Sequence, residues 1–111
     1  MKLAEVADRL GLQALSGETE LDREVTGGCV ADLLSYVMSN AKAGYLWITI
    51  QVHPNIVGVA DLLDLSAVVV AGGQEPQPAT LEKAREHGVA ILTTRETVFM
   101  VAGRLYELGV R

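Results

Sequence analysis

Cysteine is nearly absent from this 111-residue chain: Cys29 stands alone, which excludes an internal disulfide. Histidine is almost as scarce. His53 and His87 lie far apart and offer no spaced ligand set with Cys29, so no structural metal site is expected. Long apolar runs are missing as well. Half of the residues are hydrophobic, yet they come in short stretches, none approaching the ~20 residues that cross a bilayer. Met1-Lys2-Leu3-Ala4-Glu5 places an acid early and shows no continuous apolar stretch of a secretory signal, so the chain reads as soluble and cytoplasmic, with no membrane partner. Basic clusters are absent too: 9 bases are scattered among 14 acids, a net charge of −5, and this disfavours nucleic acid as a partner. Neither G-x-G-x-x-G nor G-x-x-x-x-G-K-[ST] occurs, so no strong nucleotide-binding signature is present. Proline is rare, and the one linker-like stretch, Gln74-Glu75-Pro76-Gln77-Pro78, is short enough to be a loop. The expectation is one domain, residues 1–111, burying roughly two-thirds of the surface its unfolded chain exposes.

What the chain does have is periodicity. Leu3, Val6, Ala7 and Leu10 recur at helical spacing and Gly11 follows as a left-handed stop. A brief strand is expected over Gln13–Leu15, a turn over 16–20, and another short strand over Arg23–Val25. Val30, Leu33, Leu34, Val37, Met38 and Ala41 then predict an amphipathic helix. From there the format repeats. Tyr45–Ile50, Ala67–Ala71 and Val89–Leu92 are apolar runs of strand length, each followed by a polar turn and a helical stripe: Ile56, Val59, Ala60, Leu63; Leu81, Ala84, Arg85; Val98, Val101, Ala102, Leu105. Asn55, Thr80 and Thr94 are the expected N-caps, and Gly88 and Gly109 close two of the helices. Apolar strands alternating with helices predict an α/β layered domain with a mainly parallel sheet covered by helices.

In such a sheet, ligands bind beyond the carboxyl ends of the strands, where loops and helix starts present free N–H groups. The corresponding segments are 51–55 after the first long strand, with Gln51, His53 and Asn55, Ala71–Gln74 after the second, with Gly72 and Gly73, and Thr93–Arg95 after the third, with Thr93 and Thr94. Gly27, Gly28 and Asp32 are candidates to join them. Paired glycines permit positive φ and close ligand approach, although a tight turn is the simpler reading of them. Asp32 suits a helix start and could cap it instead of touching a ligand. His53 could move a proton, but no nucleophile is spaced to pair with it. Asp61 and Asp64 read as solvated carboxylates, His87 as a helix-end cation, and Cys29 as a small apolar side chain. Trp47 reads as core. Tyr36, Tyr45 and Tyr106 offer aromatic surface, and the high apolar fraction predicts a homodimer.

Thr26-Gly27-Gly28 followed by Asp32-Leu33-Leu34-Ser35-Tyr36-Val37-Met38, with Trp47-Ile48-Thr49-Ile50-Gln51 and His53-Pro54-Asn55-Ile56-Val57 further on, resembles the DRTGG domain family in its small free-standing members. The likeness runs from about Leu3 to Gly109. One departure is plain: Glu24-Val25 separates Asp22-Arg23 from Thr26-Gly27-Gly28. DRTGG domains are similar to accessory domains of phosphotransacetylase-like proteins and CBS-containing pyrophosphatases, and a related domain occurs in HPr kinase. The resemblance implies a regulatory role without a kinase activity, since no P-loop is present. The sequence-level expectation is therefore a non-catalytic, ligand-sensing module, with no catalytic residues and no resident cofactor or metal. It would bind a nucleotide or other small anionic ligand and control a metabolic or redox enzyme partner. The alternatives are a homo-oligomeric interaction module without a ligand, and a small hydrolase or transferase using His53 with Asp32 or Thr93.

Overall fold

Leu3, Val6 and Leu10 fall on one side of a helix and all three are buried, which fixes α1 (Leu3–Leu10); Gly11 ends it at φ 67°. The computed structural model describes residues 1–111. Five strands follow in chain order: β1 (Gln13–Ser16), β2 (Gly27–Val30), β3 (Tyr45–Thr49), β4 (Ala67–Val70) and β5 (Ile91–Thr93). Four more helices alternate with them: α2 (Leu34–Asn40), α3 (Asn55–Leu63), α4 (Pro78–His87) and α5 (Val98–Glu107). A short 3₁₀ turn occupies Glu18–Glu20.

The sheet runs β1-β5-β4-β3-β2. β2, β3, β4 and β5 are parallel to one another, and β1 pairs antiparallel with β5. The mainly parallel sheet anticipated from the sequence is thus present, with one antiparallel edge. β4 reads Ala-Val-Val-Val, and every one of its residues is buried, as a strand covered on both faces requires. Alternation then sorts side chains between two cores. Leu46, Ile48, Val69 and Leu92 pack under α1 and α5 with Leu3, Val6, Val101 and Leu105. Trp47, Val68, Val70 and Ile91 pack under α2, α3 and α4 with Val37, Val57 and Ala84. Each fully buried aliphatic side chain contributes about 1.5–3 kcal/mol of transfer free energy, so both layers hold the sheet. Trp47 is fully buried, and its indole Nε1 donates to the Ala31 carbonyl at 2.7 Å.

Several local expectations are corrected. The predicted Val30–Ala41 helix begins only at Leu34, and Val30, Leu33 and Met38 are exposed. The preceding residues alternate instead, with Gly27 and Cys29 buried and Gly28 and Val30 out, and they pair with Tyr45–Ile48 of β3. Pairing with β3 satisfies the backbone groups of this stretch that point toward that strand, which a helix start would leave open. The strand expected at Arg23–Val25 reduces to an isolated bridge between Lys2 and Glu24. The caps also move. Asn55 is already helical, Thr80 lies inside α4, and the cap of α5 is Thr97, whose hydroxyl accepts from the Met100 amide.

Glu24 stays exposed, and its carboxyl is held below its usual range chiefly by the hydrogen bond from the Met1 ammonium, 3.0 Å away, aided by that group's charge. Asp64 closes α3 in the left-handed region at φ 56°, where Arg23 donates to its carboxylate at 2.9 Å and to its carbonyl. His87 meets Asp61 at 3.1 Å, tying α4 to α3. No helix is long and apolar enough to cross a membrane.

Candidate functional site

Because β2 to β5 are parallel, their carboxyl ends form one edge, ordered in space as Thr93–Thr94, Gly72–Gly73, Ile50–Gln51 and Asp32. β1 adds to it from the opposite direction: its first residue, Gln13, is in register with Thr93. The end of α1 arrives at the same place. The result is an open cleft of about 740 Å³ lined by Leu10, Gly11, Gln13, Leu15, the Gly73–Pro76 loop, Leu81 and the Thr93–Glu96 loop.

The loops that wall the cleft are held by the chain's own hydrogen bonds. Gly72 and Gly73 both take positive φ, at 73° and 72°, so their turn needs glycine. Their amides are occupied: Gly72 N–H donates to the Glu96 carbonyl at 2.7 Å and Gly73 N–H to the Thr94 carbonyl at 3.0 Å. The predicted amide cradle at these glycines is therefore corrected to a clasp between the β4 and β5 loops. Thr94 is central to it, since its amide donates to the Val70 carbonyl and its hydroxyl accepts from the Glu96 amide. Glu96 is in turn gripped by Arg104, whose Nη1 lies 2.8 Å from both carboxylate oxygens. The other arm of Arg104 donates to the Arg9 carbonyl at the end of α1. Arg95, between Thr94 and Glu96, is exposed and forms no ion pair. A guanidinium with open valence beside two threonine hydroxyls and the Gln13 and Gln74 carboxamides suits an anion with polar substituents.

The remaining candidates fall into two other places. Asp32, Thr49 and Gln51 form a closed knot at the ends of β2 and β3. Asp32 Oδ1 accepts from the Thr49 hydroxyl at 2.8 Å and the Ile50 amide at 3.0 Å, while Gln51 Nε2 donates to the Asp32 carbonyl. Asp32 thus ties two strands together instead of capping α2. His53 Nδ1 accepts from the Asn55 amide at 3.1 Å, and the next two amides of α3 donate to the His53 and Pro54 carbonyls. The first amides of that helix are thus occupied, and no hydrogen bond joins His53 to Asp32 or Thr93. Gly27 and Gly28 sit at the amino ends of the parallel strands, opposite the cleft, with Gly27 in register with Tyr45. They are strand residues, neither a turn nor part of this edge. Cys29 packs in the core under α2, and burial pushes its thiol up. No cluster of His, Cys, Asp or Glu suited to a metal ion occurs.

Of the sequence candidates, Gly73, Thr93 and Thr94 line the cleft, with Gly72 beside it. Gln13 and Glu96 were missed, whereas Gln74 and Arg95 fall within the strand-end segments read from the sequence. The only signal for Gln13 was the polarity of a short first strand, and nothing local shows that this strand pairs with the last one.

No family model matches the sequence and no curated protein resembles it closely enough to register. Among solved structures, the chain is similar to the crystal structure of the CBS and DRTGG domains of the regulatory region of Clostridium perfringens pyrophosphatase, complexed with its activator diadenosine tetraphosphate. The TM-score is 0.75 at 19% sequence identity. The likeness covers 94% of this chain and 45% of that one, so this chain spans less than half of its neighbour's length. Backbone agreement at that level over nearly all residues establishes the architecture: the chain has a DRTGG-like fold.

Proposed function

We propose that the chain is a non-catalytic regulatory module that senses a small anionic ligand, a nucleotide or related phosphate ester, in the cleft between the β4 and β5 loops. The observation that carries this reading is Arg95, an unpaired guanidinium on the rim of a cleft of about 740 Å³ beside Thr93 and Thr94. The volume suits a nucleotide-sized molecule. A fold neighbour whose regulatory region takes an adenosine nucleotide as activator supports the ligand class. That region contains CBS domains as well, so Arg95 and its surroundings carry the assignment to this cleft.

Signal transfer follows from the clasp. A ligand drawn to Arg95 perturbs the Thr94–Glu96 segment, and Glu96 is joined through Arg104 to the end of α1. Differential affinity for two positions of that segment would change the surface offered to an enzyme partner of metabolic or redox function. Calorimetric titration against inorganic phosphate, AMP, ATP and diadenosine tetraphosphate tests the reading. Binding of at least one nucleotide is expected, with a tenfold or greater loss in Arg95→Ala. No heat with any of them, and no change in melting temperature, removes the ligand from the proposal.

A second reading, a homo-oligomeric module of cytoplasmic character, is favoured by a separate observation: Val30, Leu33, Tyr36 and Tyr106 are all about half exposed or more. The two readings are compatible, since a dimer can carry a ligand cleft on each copy.

A further inference from the structure

The large apolar side chains left in solvent are unevenly placed. Apart from Met1 and Leu62, all of them belong to β2, the α2 segment, α5 or the end of β3. The other edge strand, β1, carries none, and Arg85 reaches across to its Leu15 carbonyl. β2 has β3 on one side and no strand on the other. Its outward residues Gly28 and Val30 border an apolar groove of about 290 Å³, completed by Ile48, Ala102, Leu105, Tyr106 and Val110. An uncovered edge strand with apolar flanks is a template for pairing with another strand.

We propose that two copies of this chain associate through the β2 edge, each β2 lying antiparallel to its mate about a twofold axis. The proposal deepens the homo-oligomeric reading and rests on it. Charge identifies the occupant as a second copy. Arg111 lines the groove near Gly28, at the amino end of β2, with its guanidinium 4.4 Å above the Tyr106 ring. Asp32 lies exposed just past the carboxyl end, with one carboxylate oxygen uncommitted. Antiparallel pairing sets the amino end of one β2 beside the carboxyl end of the other, so Arg111 faces Asp32 twice across the axis. A twofold interface requires this reciprocity. Val30 and Tyr106 lose solvent exposure in the pairing.

Sedimentation equilibrium on the full chain, from low to high micromolar concentration, should show a dimer. Val30→Lys and Tyr106→Glu, each checked for a native circular-dichroism spectrum, should weaken it tenfold or more, and Arg85→Glu on the β1 side should not. Spin labels locate the contact in a Cys29→Ala background. With strands about 4.8 Å apart in one continuous sheet, labels at Gln13 should sit roughly 40 Å or more from each other, whereas labels at Leu33 should be much closer. A monomer at every concentration overturns the homo-oligomeric reading together with this surface. A dimer that ignores both substitutions, or one whose Gln13 labels are the closer pair, overturns the surface alone.

Discussion

Gly27-Gly28 and Gly72-Gly73 are the same dipeptide, each beside a parallel strand, and they do opposite things. The first pair lies inside β2 at the amino ends of the strands, in extended backbone, with Gly27 buried and Gly28 exposed. The second pair lies past β4 at the carboxyl ends, with positive φ at both residues and both amides donated to the β5 loop. In the first pair only Gly27 is glycine for lack of side-chain room; in the second, both residues are glycine for backbone conformation. A Gly-Gly pair in a sequence therefore does not reveal which demand it answers; the neighbouring elements decide.

The sharpest way to break this contrast is at Gly27. A Cβ there would lie 2.5 Å from Cε1 of the Tyr45 ring, so the ring must leave its seat over β2. Overpacking of this kind costs about 1–3 kcal/mol, and each 1 kcal/mol lowers the melting temperature of a domain this size by roughly 4–8 °C. Gly27→Ala should show that loss in thermal unfolding. Tyr45→Ala combined with Gly27→Ala should recover part of it relative to the sum of the single changes, since the clash is with the ring. Additive losses would mean that the glycine is needed for another reason.

Much of the architecture is legible in the sequence because the signals are strong where burial is complete. Ala67–Val70 is β-branched and apolar throughout, and it became the central β4; Val98, Val101 and Leu105 marked α5. The β2 region misled because Val30, Leu33, Val37 and Ala41 mimic a helical stripe while only Val37 and Ala41 are buried. Backbone pairing with β3, which no local pattern reports, overrode it. The site was half legible for the same reason. Thr93, Thr94 and Gly73 were found because parallel strands converge at their carboxyl ends, but Gln13 reaches the cleft only through the antiparallel pairing of β1 with β5. The use of the glycine amides by Glu96 and Thr94 is likewise a tertiary fact.

At the second pair the test is conformational. Neither Gly72 nor Gly73 has a steric obstacle: the nearest atom to a Cβ on Gly72 is 3.7 Å away in Ile50, and Gly73 has nothing within 4 Å. Any cost of Gly72→Ala or Gly73→Ala must come from the left-handed backbone, about 1–2 kcal/mol for a residue with a Cβ. Gly73→Asn should cost less than Gly73→Ala, because asparagine tolerates that region better. Urea unfolding of the three variants measures this. Equal stability of alanine and asparagine forms would argue that φ at Gly73 is not the constraint. Affinity for the nucleotide proposed to bind the cleft supplies a second readout, since these changes act on the clasp around Thr94 whereas Gly27→Ala acts at the far end of the sheet.

The smallest effect belongs to Gly28, and its sign is the informative part. A Cβ at this position would meet the Leu46 carbonyl oxygen at 3.8 Å, Ile48 Cδ1 at 3.9 Å and Val110 Cγ1 at 4.0 Å, all ordinary contacts, and the backbone is not left-handed. Glycine within a strand is disfavoured relative to alanine by roughly 0.5–1 kcal/mol, because it gives up more backbone freedom on folding. Gly28→Ala should therefore leave the monomer unchanged or slightly more stable, measured at a concentration low enough to keep copies apart. Adjacent glycines would then respond in opposite directions to the same methyl group. That outcome follows only if Gly27 faces Tyr45 while Gly28 faces outward, so a loss at Gly28 comparable to that at Gly27 would show that β2 is not in the register with β3 described above.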